Sequence, residues 1–140
     1  MGEVLLDTSH VVALASAGDQ HHEVARRWQR HLESDANRIV TTQAVLLEVG
    51  NSLAGGRLRR SAVAVIEGIL LDPSIEVIPL APDLFNQSFD LFRERLDKEW
   101  GLVDCISFVV MRERGIQAAL TADIHFRQAG FRALLLEDAP

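Results

Sequence analysis

The stretch Val4-Leu5-Leu6-Asp7-Thr8-Ser9 decides how the rest of the chain is interpreted. Three apolar residues that end at a carboxylate predict a short strand buried on both faces of a parallel sheet. Ligands of open α/β folds bind beyond the carboxyl ends of such strands, so Asp7 is predicted to lie at a binding edge. Asp, Thr and Ser also begin helices very often, and Asp7 considered alone is better explained as a helix cap.

The size and composition of the chain indicate one ordinary globular domain over residues 1–140. The residues are 48% hydrophobic, and no apolar run is long enough to cross a membrane. Glu3 stands where a signal peptide would carry positive charge. The one cysteine, Cys105, excludes an intrachain disulfide and reads as a small core residue. These observations together favour a reducing, cytoplasmic setting.

The net charge of −6 gives no sign of non-specific nucleic-acid binding. A bound metal ion can reverse the sign of the charge within an acidic site, so a nucleic-acid enzyme is not excluded. Lys98 is the only lysine among the 14 basic residues, so the other cations are arginines. Arginine suits phosphate recognition through its planar fork. A GC-rich genome would produce the same bias.

Strand patterns alternate with helix patterns along the chain. Strands are predicted at residues 4–6, 38–41, 75–80, 117–121 and 131–136. Helices are predicted after residue 9 and at about 21–34, 43–53, 61–71 and 82–98, with a short turn or helix at 124–129. A further helix is predicted to begin within residues 100–107, with Asp104 at its start, and to end at about Arg114. Pro79 places the third strand near an edge, because proline donates no ladder hydrogen bond. The pattern predicts a three-layer α/β/α fold around a central, mainly parallel sheet of four to five strands.

Four acidic residues are predicted to meet at one edge of this sheet. Asp7 and Asp123 each follow a strand, and Glu48 lies early in the helix after the second strand. Asp104 begins the helix that leads into the Gln117 strand. Right-handed crossovers place all strand ends of one polarity on one rim, and a helix that precedes a parallel strand starts on that rim. The other 16 of the 20 acids are expected to be solvated surface residues.

Four clustered carboxylates favour a divalent cation. Like charges raise one another's pKa, and a cation removes the repulsion. Ligation by oxygen alone suits Mg²⁺ or Mn²⁺. Such a site hydrolyses phosphodiesters, because the metal binds a phosphate oxygen and generates hydroxide near neutral pH. The chemistry needs no serine or cysteine nucleophile.

Four motifs carry a resemblance to a known family. They are Leu5-Leu6-Asp7-Thr8-Ser9, Glu48-Val49-Gly50-Asn51, Asp104-Cys105-Ile106-Ser107, and Thr121-Ala122-Asp123-Ile124-His125-Phe126 followed by Gly130-Phe131. In order and spacing they resemble the PIN domain, and the resemblance covers essentially the whole chain. It is closest to stand-alone bacterial proteins of the VapC-toxin kind.

The resemblance implies a single PIN-like nuclease domain with strand one at the centre of the sheet. It implies an endoribonuclease that depends on Mg²⁺ or Mn²⁺, the toxin of a type II toxin–antitoxin pair. It also implies frequent homodimers and an antitoxin segment that fills the active-site groove. The catalytic and metal-binding acids map to Asp7, Glu48, Asp104 and Asp123. The residues expected to support these acids are Thr8, Ser9, Asn51, Ser107 and Thr121. Thr8 and Ser9 are expected to fix the Asp7 carboxylate.

Several further side chains are candidates for RNA contact, namely Arg57, Arg59, Arg60, Trp100 and His125. The three arginines are equally well a solvated turn. Trp100 lies in a predicted loop and is more open than Trp28, which is expected in the core.

The histidines are ambiguous from the sequence alone. His10 and His125 each lie near a site acid, where a metal or proton-transfer role competes with a structural or solvated one. The His21-His22-Glu23 cluster is expected at the surface.

Other classes of protein fit the pattern less well. A signalling receiver needs a lysine at the end of a late strand, whereas Lys98 follows a helix. A dehalogenase-like phosphatase needs an acid where Ser9 stands, and no glycine-rich turn follows strand one for a dinucleotide. A PIN nuclease of RNA processing that is not a toxin and a non-catalytic PIN-fold binding module remain as alternatives.

Overall fold

The computed structural model describes residues 2–139 and contains a five-stranded sheet. The strand order is β3-β2-β1-β4-β5, and all neighbouring strands run parallel. The strands are β1 (Glu3–Leu6), β2 (Arg38–Thr42), β3 (Ile75–Ile78), β4 (Ala118–Leu120) and β5 (Arg132–Ala133). The predictions that strand one is central and that the Ile75 strand lies at an edge are confirmed.

Seven α-helices cover the two faces of the sheet in the described part of the chain. They are α1 (Thr8–Ala15), α2 (His22–Ser34), α3 (Gln43–Ser52), α4 (Leu58–Leu71), α5 (Pro82–Glu94), α6 (Leu102–Arg114) and α7 (Ile124–Gln128). A 3-10 helix covers Leu134–Leu136. The three-layer α/β/α prediction is confirmed. None of these helices is long and apolar enough to cross a membrane.

Three predicted boundaries are wrong. The basic segment 57–60 is not a turn before a helix, because α4 already begins at Leu58. Helix α5 ends at Glu94 rather than near Lys98. The last strand pairs over only two residues, and the apolar run then continues as the 3-10 helix. An apolar run indicates burial, but it does not distinguish a strand from a short buried helix.

The alternation of β1 shows why the sheet is buried on both faces. Val4 and Leu6 pack into one hydrophobic layer with Trp28 of α2, whereas Leu5 packs into the opposite layer with Phe108 of α6. Val4, Leu5 and Leu6 are each at most 5% exposed. Burying a large aliphatic side chain stabilises the fold by about 2 kcal/mol, so both layers hold this strand in place.

Local hydrogen bonds fix the strand ends that border the carboxyl edge. The Thr42 hydroxyl caps α3 by accepting from the Val45 N–H at 3.1 Å. The Thr41 hydroxyl donates to the Leu6 carbonyl oxygen at 2.9 Å and so ties the end of β2 to the end of β1. At the other end of the molecule, Gly115 ends α6 with φ 67°, a left-handed conformation that glycine adopts without strain.

Paired charges occupy the amino-terminal end of the sheet, and we call Glu3, Arg38, Glu76 and Arg114 the Arg114 network. Arg114 donates to Glu3 at 2.8 Å and to Glu76 at 2.9 Å, and it thereby joins α6 to β1 and β3. Arg38 of β2 donates to Glu76 at 3.2 Å. The hydrogen bonds from Arg114 hold the pKa of Glu76 below its usual value. The network therefore neutralises this end of the sheet.

Candidate active site

The four predicted acids line one open cleft of about 440 Å³ at the carboxyl edge of the sheet. We call this the acid cleft, defined by Asp7, Glu48, Asp104 and Asp123. The four residues come from the end of β1, the middle of α3, the first turn of α6 and the start of α7. The predicted convergence of these four side chains is thus seen in the structure, while their catalytic role stays a prediction.

Asp7 is the most deeply buried acid of the cleft, with 4% of its surface exposed. Its Oδ2 atom accepts from the Thr121 hydroxyl at 2.7 Å and from the Ser9 hydroxyl at 3.4 Å. Burial raises the pKa of Asp7 to about 7; the Thr121 bond opposes this rise, and the nearby charges of Asp104 and Glu48 add to it. A cation in the cleft would favour the ionised form of this carboxyl.

The Thr121 hydroxyl is the centre of a network that spans both ends of the chain. It lies 3.1 Å from the Ser9 hydroxyl and accepts from the Asp123 N–H at 3.0 Å. The Ser9 oxygen in turn accepts from the Ala122 N–H at 3.0 Å. The expected support of Asp7 by Ser9 and Thr121 is therefore seen as direct contacts.

The Thr8 hydroxyl supports a different acid from the one expected, although the Thr8 backbone N–H donates to Asp7. Its hydroxyl donates a short hydrogen bond to Glu48 Oε1, whereas no bond joins the Thr8 side chain to Asp7 in the described residues. The physical reason is that Thr8 begins α1, which packs against α3 and directs the hydroxyl across to that helix. Thr8 thus fixes the position of Glu48.

Asp104, Asp123 and His125 form the opposite wall of the acid cleft. Asp104 Oδ2 accepts from the Gly101 N–H at 3.1 Å and lies 3.2 Å from His125 Nδ1. Asp123 Oδ1 accepts from the His125 N–H at 2.9 Å and lies 3.3 Å from the same Nδ1 atom. Burial and the charge of Asp123 raise the pKa of Asp104.

Two of the predicted supporting residues do not support an acid. The exposed Asn51 side chain forms no hydrogen bond with any of the four acids in residues 2–139. The Ser107 hydroxyl is fully buried and has no hydrogen-bond partner among the described residues. Ser107 lies where α6 enters the apolar core, so the packing around it provides no hydrogen-bond partner for the hydroxyl of this family motif.

Trp100 is not the open side chain that the sequence predicted. It is 4% exposed, its indole N–H donates to Gln128 Oε1 at 3.0 Å, and its ring meets Phe108 edge-on at 5.0 Å between centroids. Arg95 covers the ring at 4.8 Å. Stacking on an RNA base requires an accessible face, so the predicted RNA contact of Trp100 is wrong. The prediction that Trp28 is a core residue is confirmed.

The other RNA-contact candidates divide into two groups. Arg57, Arg59 and Arg60 are exposed at the start of α4 and do not line the acid cleft. His125 lines the cleft directly. RNA contact by these four residues stays a prediction.

The remaining histidines are placed differently from what the sequence suggested. His10 does not reach an acid: it is buried behind β1, its Nε2 lies 3.0 Å from Gln29 Oε1, and burial lowers its pKa to about 4. His22 Nδ1 lies 2.7 Å from the Ala13 carbonyl oxygen. His21, which was expected only at the surface, is half-buried and lines the acid cleft with Asp19. No periodic pattern marks His21 in the sequence, because it lies in a loop.

Cys105 is buried and free, as predicted. Burial and the adjacent charge of Asp104 raise its pKa to about 11, so the thiol stays protonated and does not act as a nucleophile.

The donor set of the acid cleft fits a divalent cation. No lysine or arginine in residues 2–139 forms an ion pair with any of the four acids, although other carboxylates of the chain have such partners. Asp104, Asp123 and His125 each offer a ligand atom, and these atoms lie within 4.8 Å of one another. The carboxylate oxygens of this set suit Mg²⁺ or Mn²⁺.

Comparison with known proteins defines the class. The PIN domain matches residues 4–132, and the chain therefore belongs to the PIN-domain family, a family of nucleases. The curated relatives are VapC-type toxins. The 23S rRNA-specific endonuclease VapC20 of Mycobacterium tuberculosis, from strains CDC 1551 / Oshkosh and ATCC 25618 / H37Rv, is 35% identical over 129 residues. The match covers 91% of this chain and 95% of the relative.

Solved structures show the same fold. The crystal structure of M. tuberculosis VapC20, described as a Sarcin-Ricin loop cleaving toxin, superposes with a TM-score of 0.81 at 33% identity, covering 91% of this chain and 95% of that one. VapBC2 from Rickettsia felis, bound to a promoter DNA fragment, gives 0.67 at 16% identity, covering 94% and 96%. DNA-bound VapBC from Salmonella typhimurium gives 0.66 at 17%, covering both chains fully. The last two show the fold alone.

Proposed function

We propose that this protein is a divalent-metal-dependent endoribonuclease of the VapC toxin kind. The observation that carries the proposal is the acid cleft, in which four carboxylates from four elements meet without an arginine or lysine partner in the described residues. The relatives named as 23S rRNA-specific endonucleases make ribosomal RNA the first substrate to test. The relatives' ribosomal substrate also supports the cytoplasmic setting that the sequence predicts.

Asp7, Glu48, Asp104 and Asp123 would hold Mg²⁺ or Mn²⁺. When bound, such a cation neutralises phosphate charge and lowers the pKa of water towards neutrality. The chain itself supplies the fixed geometry: Thr121 and Ser9 hold Asp7, Thr8 holds Glu48, and the Gly101 N–H holds Asp104. The cleft is open at the surface, so a phosphodiester of a folded RNA can reach the acids from outside.

The matched toxins also indicate a protein partner. Both VapBC structures that share the fold contain a VapB protein together with the toxin. We therefore propose an antitoxin for this chain, with a segment that fills the acid cleft. Because the cleft is acidic, a segment that enters it would present a cationic side chain. A test is co-expression with the adjacent small open reading frame, followed by co-purification and loss of cleavage.

The homodimer expectation has a structural candidate on α5. Phe85, Phe89 and Phe92 stack in a row, with centroid distances of 6.3 and 6.5 Å, and each remains about 40% exposed. We propose that this stripe joins two copies, since exposed contiguous aromatics mark interaction surfaces. In light scattering, Phe89→Glu should convert a dimer to a monomer, whereas Leu71→Glu, at an exposed leucine of α4, should not.

The central experiment incubates the purified protein with intact ribosomes and with protein-free 23S rRNA, with Mn²⁺ or with EDTA. We expect cleavage at one or few positions with Mn²⁺ and none with EDTA or with the Asp104→Asn variant. Cleavage that survives both treatments would overturn the proposal. Induced expression separates a toxin from a processing nuclease: only a toxin arrests growth, and the Asp104→Asn variant should not.

A further inference from the structure

We propose that His125 Nδ1 is a direct ligand of the cation held by Asp104 and Asp123, and that it makes the site select Mn²⁺ over Mg²⁺. The inference rests on the proposed function, in that it needs a cation in the acid cleft. It assigns to His125 a role other than RNA contact, and it names the residue that decides which metal is preferred.

The geometry around His125 matches that of neighbouring ligands on one ion. Nδ1 lies 3.2 Å from Asp104 Oδ2 and 3.3 Å from Asp123 Oδ1. Two donors at about 2.1 Å from an octahedral ion and at right angles to each other are about 3.0 Å apart. The two contacts of Nδ1 thus have the spacing of adjacent ligands in one coordination shell, and the two carboxylate oxygens lie within 4.8 Å of each other. A small shift of each would complete it.

The fold holds the imidazole in this position from two sides. The backbone N–H of His125 donates to Asp123 Oδ1 at 2.9 Å, which fixes the start of α7 beside Asp123. The next residue, Phe126, is fully buried and packs edge-on against Phe108 at 4.9 Å, which anchors the helix in the core. The backbone of His125 is therefore fixed beside the two acids, and its Nδ1 atom contacts both of them.

The nitrogen donor is available in the neutral form of the ring. With its proton on Nε2, the imidazole presents the Nδ1 lone pair to the cleft, while a proton on Nδ1 would instead be donated to Asp104 or Asp123. Both forms are consistent with the two contacts of Nδ1. A cation at this position selects the first form, because it takes the lone pair and repels the proton.

The identity of this donor predicts the metal preference. Mg²⁺ binds oxygen ligands and retains water, whereas imidazole suits first-row transition metals. Replacing one of the oxygen or water ligands by His125 nitrogen therefore favours Mn²⁺. Without that nitrogen the remaining carboxylates bind both ions through oxygen, and the preference should fall.

The test compares wild-type protein with His125→Asn and His31→Asn. His31 of α2 is a matched control because its Nε2 lies 3.2 Å from Asp35, the residue that follows this helix. This similar histidine–aspartate contact does not line the acid cleft. Mn²⁺ binding is measured by the electron paramagnetic resonance signal of the free ion, Mg²⁺ by competition, and ¹⁴N coupling to bound Mn²⁺ by pulsed resonance.

We expect ¹⁴N coupling in the wild type and in His31→Asn, and its loss in His125→Asn. His125→Asn should weaken Mn²⁺ binding about tenfold and Mg²⁺ binding by much less. Absence of ¹⁴N coupling in the wild type, or an equal loss for both ions, would overturn the inference and leave His125 as a hydrogen-bond partner of Asp104. If Asp104→Asn binds Mn²⁺ as the wild type does, the acid cleft holds no cation and the proposed function itself fails.

Discussion

The two ends of the central sheet carry carboxylates in opposite electrostatic settings. At the amino-terminal end, Glu3 and Glu76 are each paired with arginines of the Arg114 network, and the pKa of Glu76 is lowered. At the carboxyl end, the acid cleft has no such arginines within residues 2–139, and the pKa values of Asp7 and Asp104 are raised. The sheet therefore carries a neutralised charge network at its amino-terminal end and concentrated negative charge at its carboxyl end.

The difference separates carboxylates that are neutralised within the protein from carboxylates that lack a cationic partner. A carboxylate beside an arginine is satisfied within the protein and contributes to folding. A buried carboxylate without a cationic partner is costly, and it persists in a fold when a bound ligand supplies the missing charge. The acid cleft is thus the end of the sheet where the proposed cation would supply the missing positive charge.

The largest expected effect follows from removing an acid of the cleft. Asp104→Asn should lower RNA cleavage by about a hundredfold or more, because a lost metal ligand removes several kcal/mol of transition-state stabilisation. The melting temperature should not fall, because the substitution relieves repulsion with Asp123. Gel-based cleavage rates and thermal unfolding measure both quantities. Asp90→Asn, at an exposed acid of α5, serves as the control and should cleave as the wild type does.

The second effect concerns the pH dependence of the metal-free protein. Since the pKa of Asp7 rises from 3.8 to about 7 on folding, the folded protein keeps a proton that the unfolded chain has lost between these values. Stability contributed by Asp7 should therefore fall as the pH rises from about 4 to 7, by a few kcal/mol at most, and then stay level. Denaturant unfolding in EDTA measures this change.

The Asp7→Asn variant is the matched comparison for that pH series, because a neutral amide cannot ionise. It should be more stable than the wild type at pH 8 in EDTA and should lack the decline from Asp7. Glu76 works in the opposite direction: its lowered pKa adds stability above its usual titration range, which is lost on acidification. If wild type and Asp7→Asn had parallel pH profiles, the carboxyl of Asp7 would not be perturbed.

The third effect, a change in stability of similar size to the pH effect, should come from Mn²⁺ binding. Mn²⁺ binds the folded acid cleft and not the unfolded chain, so it should stabilise the protein by about 2.7 kcal/mol at a hundredfold excess over its dissociation constant. Thermal unfolding with and without millimolar Mn²⁺ reports the shift. The Asp104→Asn variant should show little of it. An unchanged melting temperature of the wild type would contradict a preformed cation site.

The smallest effect should come from the opposite end of the sheet. Arg114→Met removes the guanidinium from Glu3 and Glu76 while keeping an apolar stem, and it should cost about 1 kcal/mol because these pairs are partly exposed. The cleavage rate should be unchanged, since the network does not line the acid cleft. Chemical unfolding together with the cleavage assay would show whether the two ends are independent. A cleavage defect in this variant would show that they are coupled.

The sequence predicted the parts of the molecule that follow from hydrophobic pattern and from the topology of parallel sheets. The apolar run of β1 and its terminal Asp7 follow from the pattern of a buried parallel strand, and the topology rule then gathers Glu48, Asp104 and Asp123 on the same rim. These predictions depend on strand order and polarity, which a chain of alternating strands and helices largely determines. The resemblance to the PIN domain added the central position of β1.

The sequence failed where a side chain's surroundings come from distant segments. Trp100 precedes α6 and was predicted to be open to solvent, yet Gln128 and Phe108 enclose it. Neither contact is visible in the local sequence pattern. The predictions for His10 and His21 failed for the same reason. The packing of α1 against α2 turns His10 into the interior and His21 towards the acid cleft.

The central position of β1 also sets the order in which the molecule becomes functional during synthesis. The Thr121 hydroxyl that holds Asp7 is made 114 residues after Asp7, directly beyond β4. At about 5 to 20 residues per second, a ribosome needs roughly 6 to 23 s to synthesise that interval. Until β4 enters the sheet beside β1, Asp7 lacks Thr121 and Asp123 is not in place. The acid cleft is therefore incomplete throughout this interval of synthesis.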